Sequence, residues 1–281
     1  MESEKLRQIV CAHSPDSDDA FMFYALATRK VRSNLVQLHH VLEEIESLNR
    51  KALEGAYDLT AVSFHAYPFI AEHYVLLASG SSVGDGYGPV VVAASPMEPG
   101  EIKGKRIGVP GKMTTAYLVL RLKEPDFEAV VLPFDRIPDL VRERAVDAGL
   151  VIHEAQLTYA KAGLHQVLDL GRWWKDQYGL PLPLGANGVR RSLPEEVQRE
   201  CARLMRASIL YAFEHQEEAL NYALQFARDM EPALAEKFVG MYVNDYTLDC
   251  GELVPAAAQK LLDLGYEAGL IPRRVAIEFL R

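Results

Sequence analysis

Gly149-Leu-Val-Ile-His153-Glu-Ala-Gln-Leu-Thr-Tyr159 decides how the chain folds. Ala148 to Ile152 is small or apolar at every position. A short run of that kind, bounded by polar residues, reads as a strand buried on both faces. Glu154-Ala-Gln-Leu-Thr158 suits the first turn of a following helix. In open α/β sheets the strand ends face the crevice where ligands sit. His153 is therefore expected at a cleft, on a stiff support, with an imidazole able to exchange protons near neutral pH. The plainer alternative is a histidine that only satisfies its own backbone at a strand end.

Outward from that stretch the same alternation of strand and helix recurs. Ile9 to Ala12 reads as a strand, His13 to Asp19 as a polar loop, and Ala20 to Lys30 as a helix. Asp18 or Asp19 is the natural N-cap there, since a carboxylate suits the positive end of the helix dipole. Val36 to Val41 is a second strand. The helix from Glu43 to Glu54 carries Ile45, Leu48 and Ala52 at helical spacing and stops at Gly55. Leu59 to Val62 is a third strand, Ser63 is expected to cap a helix from Phe64 to Glu72, and Tyr74 to Ala78 is a fourth strand.

The pattern restarts after the turn-rich Ser95 to Lys105 segment. Arg106 to Val109, Ala129 to Leu132 and Gln166 to Leu170 read as strands, and Thr114 to Lys123 and Ile137 to Arg144 as helices. From Pro194 the chain is mainly helical, over 194–215, 217–230, 233–243 and 255–268. Two βα blocks joined by crossings near 92 and 187 predict a two-lobed, hinged α/β protein with its ligand between the lobes. One lobe would hold residues 1–92 and 188–281, and the other 93–187 with His153.

The bulk numbers exclude several classes. A chain of 281 residues can build one large or two modest cores. A formal net charge of −9 without a Lys/Arg cluster argues against nucleic acid and anionic membrane surfaces. Cys11, Cys201 and Cys250 are scattered, which fits a reducing cytosol and no thiolate metal site. With no signal-like segment and no apolar span of membrane length, a cytoplasmic protein is expected.

Four segments should converge on the cleft: Ser14 to Asp19, Val62-Ser63, Met113 to Thr115, and His153. Three of them place a hydroxyl or carboxylate at a helix start, where free backbone N–H groups bind anions. Ordinary capping is the competing role for each. Asp16-x-Asp18-Asp19 lacks the further oxygen ligands and glycine of a calcium loop, so no metal is expected. His39 and His40 alternate on a strand and cannot share a site. Gly84-x-Gly86-x-Gly88 joins two strands rather than opening a helix, so it is not read as a phosphate loop.

Several stretches together resemble a known family. They are Ser14-Pro-Asp-Ser-Asp-Asp-Ala20 with the helix it opens, Leu48 to Gly55, Val62-Ser-Phe-His-Ala-Tyr67, and Gly86-Tyr-Gly-Pro-Val-Val-Val92. Pro110-Gly-Lys-Met-Thr-Thr-Ala-Tyr117, Gly149-Leu-Val-Ile-His-Glu154 and Leu180-Pro-Leu-Pro-Leu-Gly185 complete the set. Their order resembles 1,4-dihydroxy-6-naphthoate synthase of the futalosine route to menaquinone. The resemblance implies a periplasmic-binding-protein-like fold of type II and a lyase without cofactors. It also implies a small anionic substrate, cyclic dehypoxanthinyl futalosine, with His153 as general base and Ala61, Val62, Ser63, Thr114 and Thr115 lining the site. Ser14 and Asp19 belong to the same mouth. The family loop often reads Ser-Pro-Cys-Pro-Asn-Asp-Thr, so Asp16 and Asp18 replace Cys and Asn at a mouth facing an anion. Chorismate dehydratase shares the fold, but its asparagine-rich first loop is missing here. A binding protein without chemistry is the remaining alternative, and a homodimer is left open.

Overall fold

Nothing polar interrupts Ala148–Val151, and all four residues are buried in the centre of a sheet. This computed structural model describes residues 6–227 and 231–281. The strands are, in chain order, β1 Arg7–His13, β2 Val36–Leu42, β3 Leu59–Ser63, β4 Tyr74–Leu77, β5 Ser82–Gly84 and β6 Val90–Ala93. They continue as β7 Arg106–Val109, β8 Glu128–Val131, β9 Ala148–Val151, β10 His165–Asp169, β11 Leu182–Arg190 and β12 Phe279–Leu280.

Two sheets result. The larger runs β12-β4-β11-β3-β1-β2, with β5 pairing β11 off that path, and the smaller runs β10-β6-β9-β7-β8. In the larger sheet β1 lies between parallel β2 and β3. In the smaller one β7 lies between parallel β8 and β9. In each sheet the chain passes from β1 or β7 to the neighbour on one side and then crosses to the neighbour on the other, which opens a crevice at the carboxyl end of that strand. The loops after β1, β7 and β9 carry Ser14 to Asp19, Thr114-Thr115 and His153.

The crossings lie a few residues from where sequence alone puts them. β6 sits whole in the smaller sheet and β11 whole in the larger. The expected boundaries at 92 and 187 therefore fall inside these strands, and the chain changes sheets between Gly84 and Val90 and again between Tyr178 and Leu182. The return is anchored by Trp174, fully buried, whose indole N–H donates to the Pro181 carbonyl at 3.1 Å. A buried tryptophan of this kind contributes roughly 3–5 kcal/mol against truncation to alanine.

Helix packing explains two further features. The helix Ser17–Ala27 is buried on all sides up to Leu26, against the helix Glu195–Glu214 and its neighbours. That is why its sequence shows no clean apolar stripe. At Gly149 a Cβ would come within 2.4 Å of Ile137 Cγ2 and 2.7 Å of Val141 Cγ2. Only glycine lets the helix Ile137–Arg142 lie directly on β9.

The C-terminal helices Glu195–Glu214, Gln216–Ala223, Pro232–Tyr242 and Leu253–Glu267 follow the expected order. The last part of the helix expected over 217–230, residues 228–230, lies outside the described residues, as does the segment 1–5. Beyond expectation, β12 returns to pair parallel with β4 through Phe279↔Leu76 and Leu280↔Leu77. Among the described residues, no helix is long and apolar enough to cross a membrane.

Candidate active site

The cleft between the sheets has about 730 Å³ of space, the part open to solvent included. Every residue singled out from sequence lines it: Ser14, Asp19, Ala61, Val62, Ser63, Thr114, Thr115 and His153. Their local roles differ from the expected ones in three places.

Neither Asp18 nor Asp19 caps its helix. Asp16 occupies the N-cap position with extended backbone, and no side chain there bonds a free N–H. Asp19 Oδ2 instead accepts from the Ser14 backbone N–H at 2.7 Å and holds the loop closed on itself. Ser63 holds the N-cap position of a short 3₁₀ turn, Phe64–Ala66, which leads into the brief helix Tyr67–Ile70, but its side chain makes no capping bond. Asn49, fully buried, clasps it from both sides: its Oδ1 accepts from Ser63 N at 2.8 Å and its Nδ2 donates to Ser63 Oγ at 2.9 Å. Ser63 Oγ keeps its own proton for a ligand.

Thr114 does cap its helix, with Oγ1 accepting from Tyr117 N at 3.3 Å and donating to Gly111 O at 2.8 Å. Thr115 Oγ1 donates to Leu184 O at 2.6 Å and accepts from His65 N at 3.2 Å. Both hydroxyls are committed to the protein. What this helix start offers an anion is its backbone N–H groups at Thr115 and Ala116.

His153 lies just past β9 with φ of 53°, in the left-handed region. For a non-glycine residue that conformation costs roughly 1–2 kcal/mol, and such strain collects at working sites. It turns the ring off the strand and toward the other lobe. There Nδ1 meets Asp16 Oδ2 at 3.0 Å, with the His153 side chain 16% exposed and Asp16 1%. Phe134 packs edge-on against the ring at 4.8 Å. Gln156, one turn on, reads best with its amide oxygen accepting from His153 N at 3.1 Å and its nitrogen toward Tyr242 Oη and Gly88 O. Nε2 remains buried with no hydrogen-bond partner among the described residues.

Burial alone would lower the affinity of this imidazole for a proton. The charge of Asp16 and its hydrogen bond outweigh that, with Glu154 and Asp18 adding to them, and the pKa rises to about 9. The carboxylates respond in the opposite sense. Burial first and then Asp16 push Asp18 up to about 7, and burial with Asp18 and Asp16 holds Asp19 well above the ordinary carboxylate range. His13, behind the loop, is driven down to about 3 by burial and by His40, whose Nδ1 lies 3.1 Å from its Nε2. His39 faces Gln8 on the other side of the strand, as alternation requires.

Among the described residues lining the cleft there is no Lys or Arg. One donor atom from each of Asp16, Asp18 and His153 lies within 4.8 Å of the others, a spacing a cation could also use. The contact of Nδ1 with Oδ2 joins two of the three directly, while Asp18 Oδ1 and His153 Nε2 have no hydrogen-bond partner among the described residues. Sequence reasoning did not name Gln156, Asn187 or Tyr242, which also line the cleft. Gln156 was within reach, three residues after His153. Asn187 is 1% exposed and donates to Gly80 O at 3.0 Å, leaving Oδ1 without a partner among the described residues. Tyr242 arrives from a remote C-terminal helix and gives no local signal.

Residues 9–267 match the family described as menaquinone biosynthesis. The chain belongs to that family. A 1,4-dihydroxy-6-naphthoate synthase of Thermus thermophilus is 44% identical over 257 residues, 92% of this chain and 93% of the relative. A crystal structure from Archaeoglobus fulgidus is 52% identical, covers 94% of this chain and 98% of its own, and superposes with a TM-score of 0.90. The alkanesulfonate-binding protein SsuA of Xanthomonas axonopodis pv. citri, 14% identical, covers 97% of each chain with a TM-score of 0.75. That last likeness concerns the fold alone, the two-lobed architecture of periplasmic binding proteins. This family member is thus an enzyme of menaquinone biosynthesis built on a binding-protein scaffold.

Proposed function

We propose that the enzyme converts cyclic dehypoxanthinyl futalosine to 1,4-dihydroxy-6-naphthoate, with His153 as general base. The observation that carries this reading is the orientation of His153: Nδ1 is held by Asp16 at 3.0 Å while Nε2 is left unpartnered at the cleft. Asp16 keeps a proton on Nδ1 and fixes the tautomer, so the lone pair of the neutral ring sits on Nε2. Nε2 takes a proton from the substrate, and the electrons of the broken bond move toward an adjoining carbonyl oxygen. The enolate formed there is stabilised by N–H groups of the Thr115 helix start and by the Ser63 hydroxyl. Cleavage of the carbon–carbon bond then releases the aromatic product together with the sugar-derived fragment, and Nε2 returns its proton to the oxygen left anionic by that cleavage. Proton transfer to a placed base is worth typically 10²–10⁴-fold, and positioning and aligned dipoles lower the rest of the barrier.

The test is to incubate the protein with cyclic dehypoxanthinyl futalosine and follow naphthoate absorbance. Product formation supports the reading. Binding without turnover would favour a ligand-binding role instead, and turnover of chorismate alone would favour the dehydratase reaction.

A further inference from the structure

The cleft poses an electrostatic problem for any anionic substrate. Asp16, Asp18 and Asp19 come from the loop and helix start after β1, and Glu154 comes from the turn after β9. His153 is the cation among them, Tyr242 faces them from the helix Pro232–Tyr242, and no Lys or Arg is among the described lining residues. Four ionised carboxylates would repel the ligand that the helix start and His153 are placed to attract. Asp16 is committed to His153, and Asp19 Oδ2 to Ser14 N. Glu154 accepts from Ser17 Oγ at 3.4 Å. Asp18 differs from these. It lines the cleft, is 8% exposed, and its Oδ1 is buried without a hydrogen-bond partner among the described residues.

We propose that Asp18 meets the substrate as a neutral carboxylic acid, donating one hydrogen bond from its inward oxygen to a substrate oxygen, so that the productive complex carries this proton on Asp18 and none on His153. The proposal rests on the reaction assigned above and adds a specificity-determining residue to it. A protonated carboxyl supplies a donor where an ionised one could only accept, and it does so by holding the proton that His153 gives up, with the net charge of the mouth unchanged. Crowding makes that state reachable, since burial and the neighbouring Asp16 raise the Asp18 pKa to about 7.

The arrangement fixes the shape of the pH profile. Asp18 loses its proton near 7 and His153 near 9, so the productive form has its single proton on the weaker of the two holders. It is then a minority of the singly protonated molecules, and kcat/KM follows that population as a bell. It rises to a plateau between about 7 and about 9 and falls beyond. Asp18→Asn keeps a donor that does not titrate. Its kcat/KM should climb with the loss of the His153 proton and not fall again, exceeding the parent by roughly tenfold at pH 8. Asp18→Ala has no donor and should bind substrate more weakly at every pH.

The experiment is kcat/KM for cyclic dehypoxanthinyl futalosine against pH in the parent and both variants. It is paired with infrared difference spectra of the ligand-free proteins, reading the protonated-carboxyl band. A bell in the parent, a one-sided profile in Asp18→Asn and an acid band diminished in that variant by the Asp18 component support the proposal. A falling limb that survives in Asp18→Asn overturns it, as does Asp18→Asn binding no better than Asp18→Ala. If the parent turns over no substrate, the reading of the reaction fails. The part of the acid band lost on going from the parent to Asp18→Asn then decides whether Asp18 holds a proton in the cleft, and no such loss near neutral pH overturns the proposal.

Discussion

His153 Nδ1 and Asp16 Oδ2, 3.0 Å apart, join the two lobes at the point where the chemistry is proposed. Asp16 follows β1 of the larger sheet and His153 follows β9 of the smaller. Under the proposed mechanism, any movement that parted the two sheets would separate the imidazole from the carboxylate that fixes its tautomer.

Asp16→Asn keeps the size and removes the charge. The largest force raising the His153 pKa disappears while burial still lowers it, so its titration should move down from about 9 by at least one unit. Turnover should drop roughly 10²-fold or more, because the tautomer is no longer fixed. A proton NMR titration of the histidine signals, read beside kcat, checks both. An unmoved His153 titration would contradict the pairing.

Closure rests on a second contact. Glu46 Oε2, on the larger lobe, accepts from Met113 N of the smaller at 3.0 Å. A Cβ at Gly111 would lie 2.2 Å from that same oxygen. Gly111→Ala should swing Glu46 away and leave the Met113 N–H unpaired, at a cost of about 1–3 kcal/mol in the closed form. KM is expected to rise by tenfold or more while the fold persists. Equal KM values in parent and variant would show that this contact does not hold the lobes.

Stability carries its own signature. In the folded chain Asp18 holds its proton up to about 7, whereas unfolded it releases it near the ordinary value of 3.8. The folded state thus binds more protons between those values, and the Asp18 contribution to stability falls as pH rises through that window. Asp18→Asn has no such loss. Its Tm relative to the parent should grow by a few °C from pH 4 to pH 7 and then level off. A difference independent of pH would mean that Asp18 is ionised throughout.

Much of this was legible in the residues because the decisive patterns are local. Apolar runs such as Ala148 to Val151 mark buried strands whatever surrounds them, and the loops after β1, β7 and β9 must meet once the two sheets face each other. What was hidden depends on long-range partners. Ser63 looks like a cap until Asn49 from another helix claims both of its polar groups. Asp18 and Asp19 look like caps until the loop folds back and Asp19 binds Ser14. The crossings were displaced because β6 is apolar throughout and β11 is apolar or glycine apart from Asn187 and Arg190, so no composition change marks where a lobe ends. The left-handed backbone of His153, which goes with its contact to Asp16 across the cleft, has no local sequence signal.

The most direct measurement is single-turnover formation of naphthoate by His153→Gln, with substrate binding measured on the same sample. Binding within a few-fold of the parent, together with product formation slowed by roughly 10²–10⁴-fold, is the expected result. Product formed at near-parental rate by that variant would contradict a base at His153.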